Sequence, residues 1–203
     1  MKTKKGRIFF GVDDPTTKMY LVKTGAVKIY RYTEDGKEVM LHIHGPNDLI
    51  TISPLFKDMD HVVYAESLKD TEVYWILLKE FRELIKENPS ILMEIATIVS
   101  DNWDEVEDKI EAFVTHDSLG RLAYIILQLM KKYGDKNTDK KTLPFPLTHQ
   151  EIANLTGMFR ETISISMQEL KKAGIISIEK HLITIENKKG LEECARTGKQ
   201  AVS

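Results

Sequence analysis

The stretch LTHQEIANLTG at residues 147–157 decides the fold of the C-terminal part of the chain. Thr148 and Glu151 have the spacing of a capping box, which predicts a helix beginning there, and Gly157 supplies the turn that ends it. The next residues, MFRETISISMQELKKAG at 158–174, predict a second helix. Its inward face carries apolar residues at helical spacing: Ile163, Met167 and Leu170. The pair is therefore predicted to be a helix-turn-helix.

Two short alternating segments follow, at residues 175–178 and 182–185, around the polar residues 179–181. This pattern predicts a two-stranded wing, so the unit is expected to be a winged helix. The second helix of such a unit fits the major groove of DNA. Arg160 is suited to guanine and Glu161 to cytosine, while Thr148, His149 and Gln150 at the start of the first helix suit phosphates. Use of the winged helix for protein contacts alone is the other interpretation.

The predicted DNA-binding set extends along the outward face of the second helix. Ile165 on this face either packs on a thymine methyl group or lies idle beside the groove. The predicted set is Thr148, His149, Gln150, Arg160, Glu161, Thr162, Ser164 and Ile165.

The charge of the 203-residue chain is divided unevenly around its small net value of −2. Residues 1–116 hold 15 Lys and Arg against 21 Asp and Glu, whereas residues 117–203 hold 14 against 10. The predicted winged helix thus lies in the basic part, which modestly favours a polyanionic partner.

The N-terminal part, from Arg7 to Leu78, shows short apolar runs that alternate with turn residues. This pattern predicts a β barrel or jelly roll, and hence an α+β chain overall. A long helix with a heptad pattern of apolar residues follows. We expect it to pack on its own β domain and to pair with a second copy, the alternative being a helix buried within one chain. The predicted dimer face is Leu92, Ile95, Val99, Trp103, Val106, Ile110 and Phe113.

These patterns predict three parts: a β roll at residues 1–89, a dimerisation helix at 90–116 and a winged helix at 117–203. In the last part, Ser118 is expected to cap a further helix, and residues 134–142 are expected to form a polar linker. The longest apolar-rich run is too short for a bilayer and the N-terminus lacks a signal-peptide pattern, so a cytoplasmic protein without membrane contact is expected. The single cysteine, Cys194, excludes a disulfide framework and a cysteine-ligated metal centre within one chain. No catalytic triad or phosphate loop has usable spacing, so no enzyme is predicted.

From about Lys5 to Ala195, the chain resembles the Crp/Fnr family of bacterial transcription regulators. The likeness rests on residues 147–153, 160–164 and 170–176 in the helix-turn-helix, and on residues 20–30, 35–38, 45–48 and 81–89 before it. The resemblance implies a cyclic-nucleotide-binding-like roll and a homodimer that binds a palindromic operator. It further implies RNA polymerase as a partner, a role as an activator and an effector, the alternative being a dimer that is competent to bind DNA without one.

The chain departs from the family at the residues that bind the effector. The sequence does not identify a cofactor. Members that bind cyclic nucleotide carry Gly-Glu and Arg-Ser or Arg-Thr pairs where this chain has Thr51-Ile52 and His61-Val62. The cation for the cyclic phosphate is missing, so cyclic AMP is not expected to be the effector. The cysteines of the iron–sulfur branch and the ligands of the haem branch are also absent from their expected places.

A rival hypothesis comes from His42 and His44, which lie two apart on one predicted strand and so share a face. Together with Gly36 they match the opening of a cupin metal motif, with Asp48 and His61 as further candidate ligands. The second half of that motif is absent. A metal- or haem-binding cupin-type protein, an enzyme among the possibilities, is the alternative to the regulator.

Overall fold

The computed structural model describes residues 1–50, 52–134 and 141–197, and of Lys141 only the backbone. The chain divides into two compact units, Met1–Asp108 and a second that begins at Lys109. The division falls inside the long helix that the sequence predicts as a separate segment, so the three predicted domain boundaries stay predictions.

The first unit contains two four-stranded antiparallel sheets, two short helices and the greater part of a long helix. Its elements, the last of which continues into the second unit, are β1 Lys2–Thr3, β2 Ile8–Phe10, β3 Lys18–Thr24, β4 Val27–Tyr32, β5 Glu38–His44, β6 Leu49–Ile50, α1 Ser53–Phe56, β7 Tyr64–Ser67, β8 Thr71–Leu77, α2 Leu78–Glu87 and α3 Pro89–Thr115. The strand orders of the two sheets are β1-β8-β3-β6 and β2-β7-β4-β5. The predicted β roll is thereby confirmed.

The sheets of the roll enclose an apolar core that both of them supply. Its buried members are Phe10, Val22, Val27, Ile29, Ile50, Val63, Ala65 and Val73. A second cluster joins the roll to the beginning of α3, where Ile95 packs with Met19, Leu55 and Leu78. The first turns of α3 are therefore anchored on the roll by buried apolar surface.

The second unit is helical, with a three-stranded sheet in the order β10-β11-β9. Its elements after α3 are α4 Ser118–Tyr133, β9 Lys141–Thr142, α5 His149–Thr156, α6 Arg160–Lys172, β10 Ile176–Glu179, β11 Leu182–Ile185 and α7 Lys188–Thr197. Helix α4 packs against α7, and α5 packs against α6. The predicted winged helix is present, with β10 and β11 as the wing.

Three details differ from the sequence prediction. The cap of α4 is Asp117, whose carboxylate accepts a hydrogen bond from the Gly120 backbone at 2.9 Å, whereas Ser118 was expected to cap it. Strand β9 extends the wing sheet inside the segment predicted to be a polar linker. Helix α7 was not predicted, and it buries Leu191 and Cys194.

Candidate nucleic-acid interface

Helix α5 begins with the capping box that the sequence predicts. The Thr148 hydroxyl accepts a hydrogen bond from the Glu151 backbone N–H at 3.1 Å, and the Thr148 backbone N–H donates to the Glu151 carboxylate at 2.6 Å. These two bonds satisfy backbone donors at the helix start and fix where α5 begins. The residues expected to meet phosphates therefore lie on a rigid helix end.

The turn between α5 and α6 depends on Gly157, whose φ of 67° lies in the left-handed region that glycine adopts without steric cost. Helix α6 then packs its inward face into the core of the unit. Ile163, Met167 and Leu170 are all buried there, as predicted. This packing holds α6 in a fixed orientation on α5.

The opposite face of α6 is open to solvent and carries most of the predicted base-contacting residues. Arg160 and Glu161 are exposed in its first turn, and Thr162 and Ser164 are half-buried. Ile165 is 61% exposed, which leaves its side chain free to pack on a base methyl group. A cation, a carboxylate, hydroxyls and an apolar group thus share one protruding surface.

His149 and Ser164 connect the two helices directly. His149 Nδ1 lies 2.9 Å from Ser164 Oγ, across the contact between α5 and α6. Burial lowers the pKa of His149, and electrostatic interactions with Arg160, His181 and Lys171 lower it further. Gln150 donates to Asn154 at 2.8 Å within α5.

The wing turn adds two residues that the sequence analysis did not select. Lys180 and His181 join β10 to β11 with φ values of 49° and 64°, and both are exposed. Phe159, which precedes α6, is 76% exposed. The alternating segments on either side of residues 179–181 were the signal for the turn, whereas nothing in the sequence marked Phe159 as outward-facing.

Helix α3 carries an exposed apolar face. Leu92, Val99, Trp103 and Ile110 of the predicted dimer set are exposed, with Trp103 at 63%, and Val106 is half-buried. Phe113 is also half-buried, and its ring lies 5.3 Å from Lys109 Nζ. Partner contacts by these residues stay a prediction.

Ile95 does not belong to that exposed face, and its inclusion in the predicted dimer set is wrong. It is only 2% exposed because it packs into the cluster that joins α3 to the roll. Ile95 lies three residues after Leu92 in the heptad pattern, so the two side chains point about 60° apart around the helix. That difference allows Ile95 to contact the roll while Leu92 stays on the exposed face.

The histidine pair lies where strand parity predicts. His42 and His44 pair across the sheet with Ile29 and Val27, so both lie on one face of β5. Their ring centroids are 6.1 Å apart. His44 Nδ1 lies 3.7 Å from Asp48 Oδ2, which is too far for a hydrogen bond.

Metal binding at this pair finds no support in the structure. Within residues 1–50, 52–134 and 141–197, no group of three His, Cys, Asp or Glu side chains is arranged to hold a metal ion. Among the residues that the structure describes, His42 and His44 therefore have no third ligand of the kind that the cupin hypothesis requires.

His61 occupies the place of the phosphate-binding arginine that the family resemblance identifies. It is buried, and its ring stacks on Phe10 with centroids 3.6 Å apart and an interplanar angle of 9°. Burial lowers the pKa of His61, against the opposing effect of Asp14 and Asp60. A neutral, stacked ring is a poor partner for a phosphate. Thr51, in the other diagnostic pair, lies outside the described residues.

Comparison with known proteins finds a matching domain family for each of the two units. The family model "Cyclic nucleotide-binding domain" matches residues 1–88, and the model "Crp-like helix-turn-helix domain" matches residues 120–194. The chain is 26% identical to the anaerobic regulatory protein of Haemophilus influenzae, over 98% of this chain and 77% of that protein. It is 25% identical to the CRP-like cAMP-activated global transcriptional regulator of Mycobacterium tuberculosis, over 95% of this chain and 86% of that protein.

Solved structures share the fold over almost the whole chain. FixK2 from Bradyrhizobium japonicum superposes with a TM-score of 0.83 at 20% identity, covering 100% of this chain and 97% of that one. A CRP/FNR-family transcriptional regulator from Thermus thermophilus has a TM-score of 0.75 at 25% identity, with 97% and 98% covered.

The two matched domains, in this order, define a transcription regulator with a DNA-binding helix-turn-helix and an effector-type roll. The chain belongs to the Crp/Fnr family. Its relatives are regulators rather than enzymes or cupin proteins, so the cupin alternative is not supported. No helix in the described parts of the chain is both long and apolar enough to cross a membrane.

Proposed function

We propose that this chain acts as a homodimer that binds a palindromic operator through α6 and is gated by an effector other than cyclic AMP. The observation that carries the proposal is the outward face of α6, where Arg160 and Glu161 protrude from a helix fixed by its buried side. Arginine pairs with the guanine edge in a bidentate manner, and a carboxylate accepts from cytosine. At the start of α5, the backbone N–H groups of His149 and Gln150 lie outside the two bonds of the capping box and suit a phosphate.

The dimer is supported by the exposed apolar face of α3. Trp103, Val99 and Leu92 expose apolar surface to water in a single chain. Contiguous exposed apolar patches mark interaction sites. A symmetric pair buries the same face on both copies, which is the commonest arrangement among oligomers. Two winged helices related by a two-fold axis then read two half-sites of opposite direction.

The effector proposal rests on His61. Its stacked and neutral ring occupies the position at which the family's nucleotide-binding members place a cation, so a cyclic phosphate lacks its counter-ion. RNA polymerase as a partner, an activator role and a cytoplasmic location follow from membership of the family and are part of this proposal.

The test is selection of duplexes from a random DNA pool by the purified protein, with and without cyclic AMP. We expect a palindromic consensus whose enrichment cyclic AMP does not change. An Arg160→Ala variant should select the same spacing with one base position relaxed in each half-site. Enrichment of no sequence, with or without a low-molecular-weight bacterial extract, would refute the operator-binding proposal, and a requirement for cyclic AMP would refute the effector proposal.

A further inference from the structure

A short chain of hydrogen bonds runs from α5 into the first turn of α6. Ser164 Oγ donates to the Arg160 backbone carbonyl at 2.9 Å, and His149 Nδ1 lies 2.9 Å from the same Oγ. A hydroxyl has one proton to donate, so a Ser164 proton engaged by the carbonyl requires Oγ to accept from His149. This assigns the proton of the neutral ring to Nδ1 and leaves Nε2 with a lone pair.

The charged groups around the ring come from both elements packed against the start of α5. Arg160 and Lys171 belong to α6, and His181 belongs to the wing turn. Burial is the largest cause of the lowered pKa of His149, and these three groups lower it further. The ring is therefore neutral in the free protein at neutral pH. In this state, Nε2 offers a lone pair that repels a phosphate oxygen.

We propose that His149 takes up a proton at Nε2 when the protein binds DNA, while Nδ1 remains on Ser164. The inference rests on the proposed DNA-binding function and adds the residue that makes that binding depend on protons. The proton comes from solvent and no covalent bond changes. A DNA phosphate beside the start of α5 adds negative charge next to the ring, and a protonated Nε2 donates to it.

His149 is in this way also a positioning residue for α6. The hydrogen bond from Nδ1 holds the Ser164 hydroxyl in place. That hydroxyl in turn bonds to the backbone in the first turn of α6, from which Arg160 projects. Protonation at Nε2 leaves these bonds in place, since Nδ1 is the donor in both forms of the ring.

Proton uptake on binding fixes the direction of the pH dependence. The complex holds more protons than the free components, so affinity rises as the pH falls. The full effect of one proton is about tenfold in affinity per pH unit for each protomer, or about a hundredfold for a dimer.

The experiment measures the affinity of the full chain for a duplex that the wild type enriches from a random pool. Fluorescence anisotropy is recorded from pH 6 to pH 8 at constant ionic strength. His149→Asn places an amide donor near the position of Nδ1 and cannot titrate, and His149→Arg keeps a permanent cation. His42→Asn is the matched control, because it removes a histidine on strand β5 of the roll, outside the winged helix.

We expect His149→Asn to bind within about threefold of the wild type at pH 8 and at least about tenfold more weakly at pH 6, because it cannot take up the proton. His149→Arg should bind tightly at both values, with a flattened pH dependence. His42→Asn should keep the wild-type slope. Thermal melts of each variant at each pH confirm that the protein compared is folded.

A His149→Asn variant that keeps the wild-type slope overturns the inference, as does a slope that disappears in His42→Asn instead. Either result leaves operator binding by the wild type intact, so the proposed function survives. A wild type that binds no duplex at any pH overturns the proposed function and this inference with it.

Discussion

Replacing Trp103 by alanine tests the exposed face of α3 quantitatively. A tryptophan side chain presents about 250 Å² and 63% of Trp103 is exposed, so about 160 Å² is available to a partner. At about 25 cal/mol per Å², complete coverage is worth about 4 kcal/mol per protomer. Half coverage gives about 2 kcal/mol per protomer, or about 4 kcal/mol for the symmetric pair, which is about a thousandfold in the dimer dissociation constant.

The chain provides its own control, because its only other tryptophan is exposed elsewhere. Trp75 is 50% exposed on strand β8 of the roll, where Lys18 Nζ lies 4.6 Å from its ring centroid. Sedimentation equilibrium over a concentration series gives the dissociation constants of the wild type, Trp103→Ala and Trp75→Ala. We expect the first substitution to dissociate the dimer and the second to leave it unchanged. A Trp103→Ala dimer as tight as the wild type would contradict the assignment of this face.

Three further predictions concern the other elements. Arg160→Ala should lose about 1–3 kcal/mol of discrimination at one base position, measured by competition between duplexes that differ at that position alone; equal loss at every position would point to a phosphate contact. Thr148→Ala removes the cap of α5 and should lower the free energy of unfolding by about 1 kcal/mol in urea denaturation. An unchanged midpoint would show that the cap contributes nothing to stability. Because burial lowers the pKa of His61, the unfolded chain takes up its proton first, so the roll should lose stability as the pH falls below about 6.5. His61→Phe, which preserves a ring for Phe10 to stack on, should lose part of this acid sensitivity in thermal melts, and an identical pH profile would contradict the burial argument.

The helix-turn-helix was predictable because its signals are local. The Thr148 cap, the turn at Gly157 and the spacing of Ile163 and Met167 each act within a few residues and agree with one another. Strand parity likewise gave the shared face of His42 and His44 from two positions alone.

The remaining features depend on contacts between distant residues, which spacing does not encode. The heptad pattern grouped Ile95 with the exposed face of α3, but burial against Leu55 and Leu78 of the roll decides its place. Helix α7 escaped prediction because its apolar side is narrow, although Asn187, whose side chain accepts from the Gly190 backbone at 2.9 Å, was a usable cap signal. The link between His149 and Ser164 joins residues on two helices and required the structure.

Hydroxyl-radical footprinting on the enriched duplex shows whether a two-fold dimer reads DNA through α6. We expect two protected patches on one face of the duplex, about 10 base pairs apart, related by the dyad of the palindrome. Arg160→Ala should weaken both patches equally, because each protomer contributes one α6. A single patch, or protection spread evenly along the duplex, would rule out this arrangement.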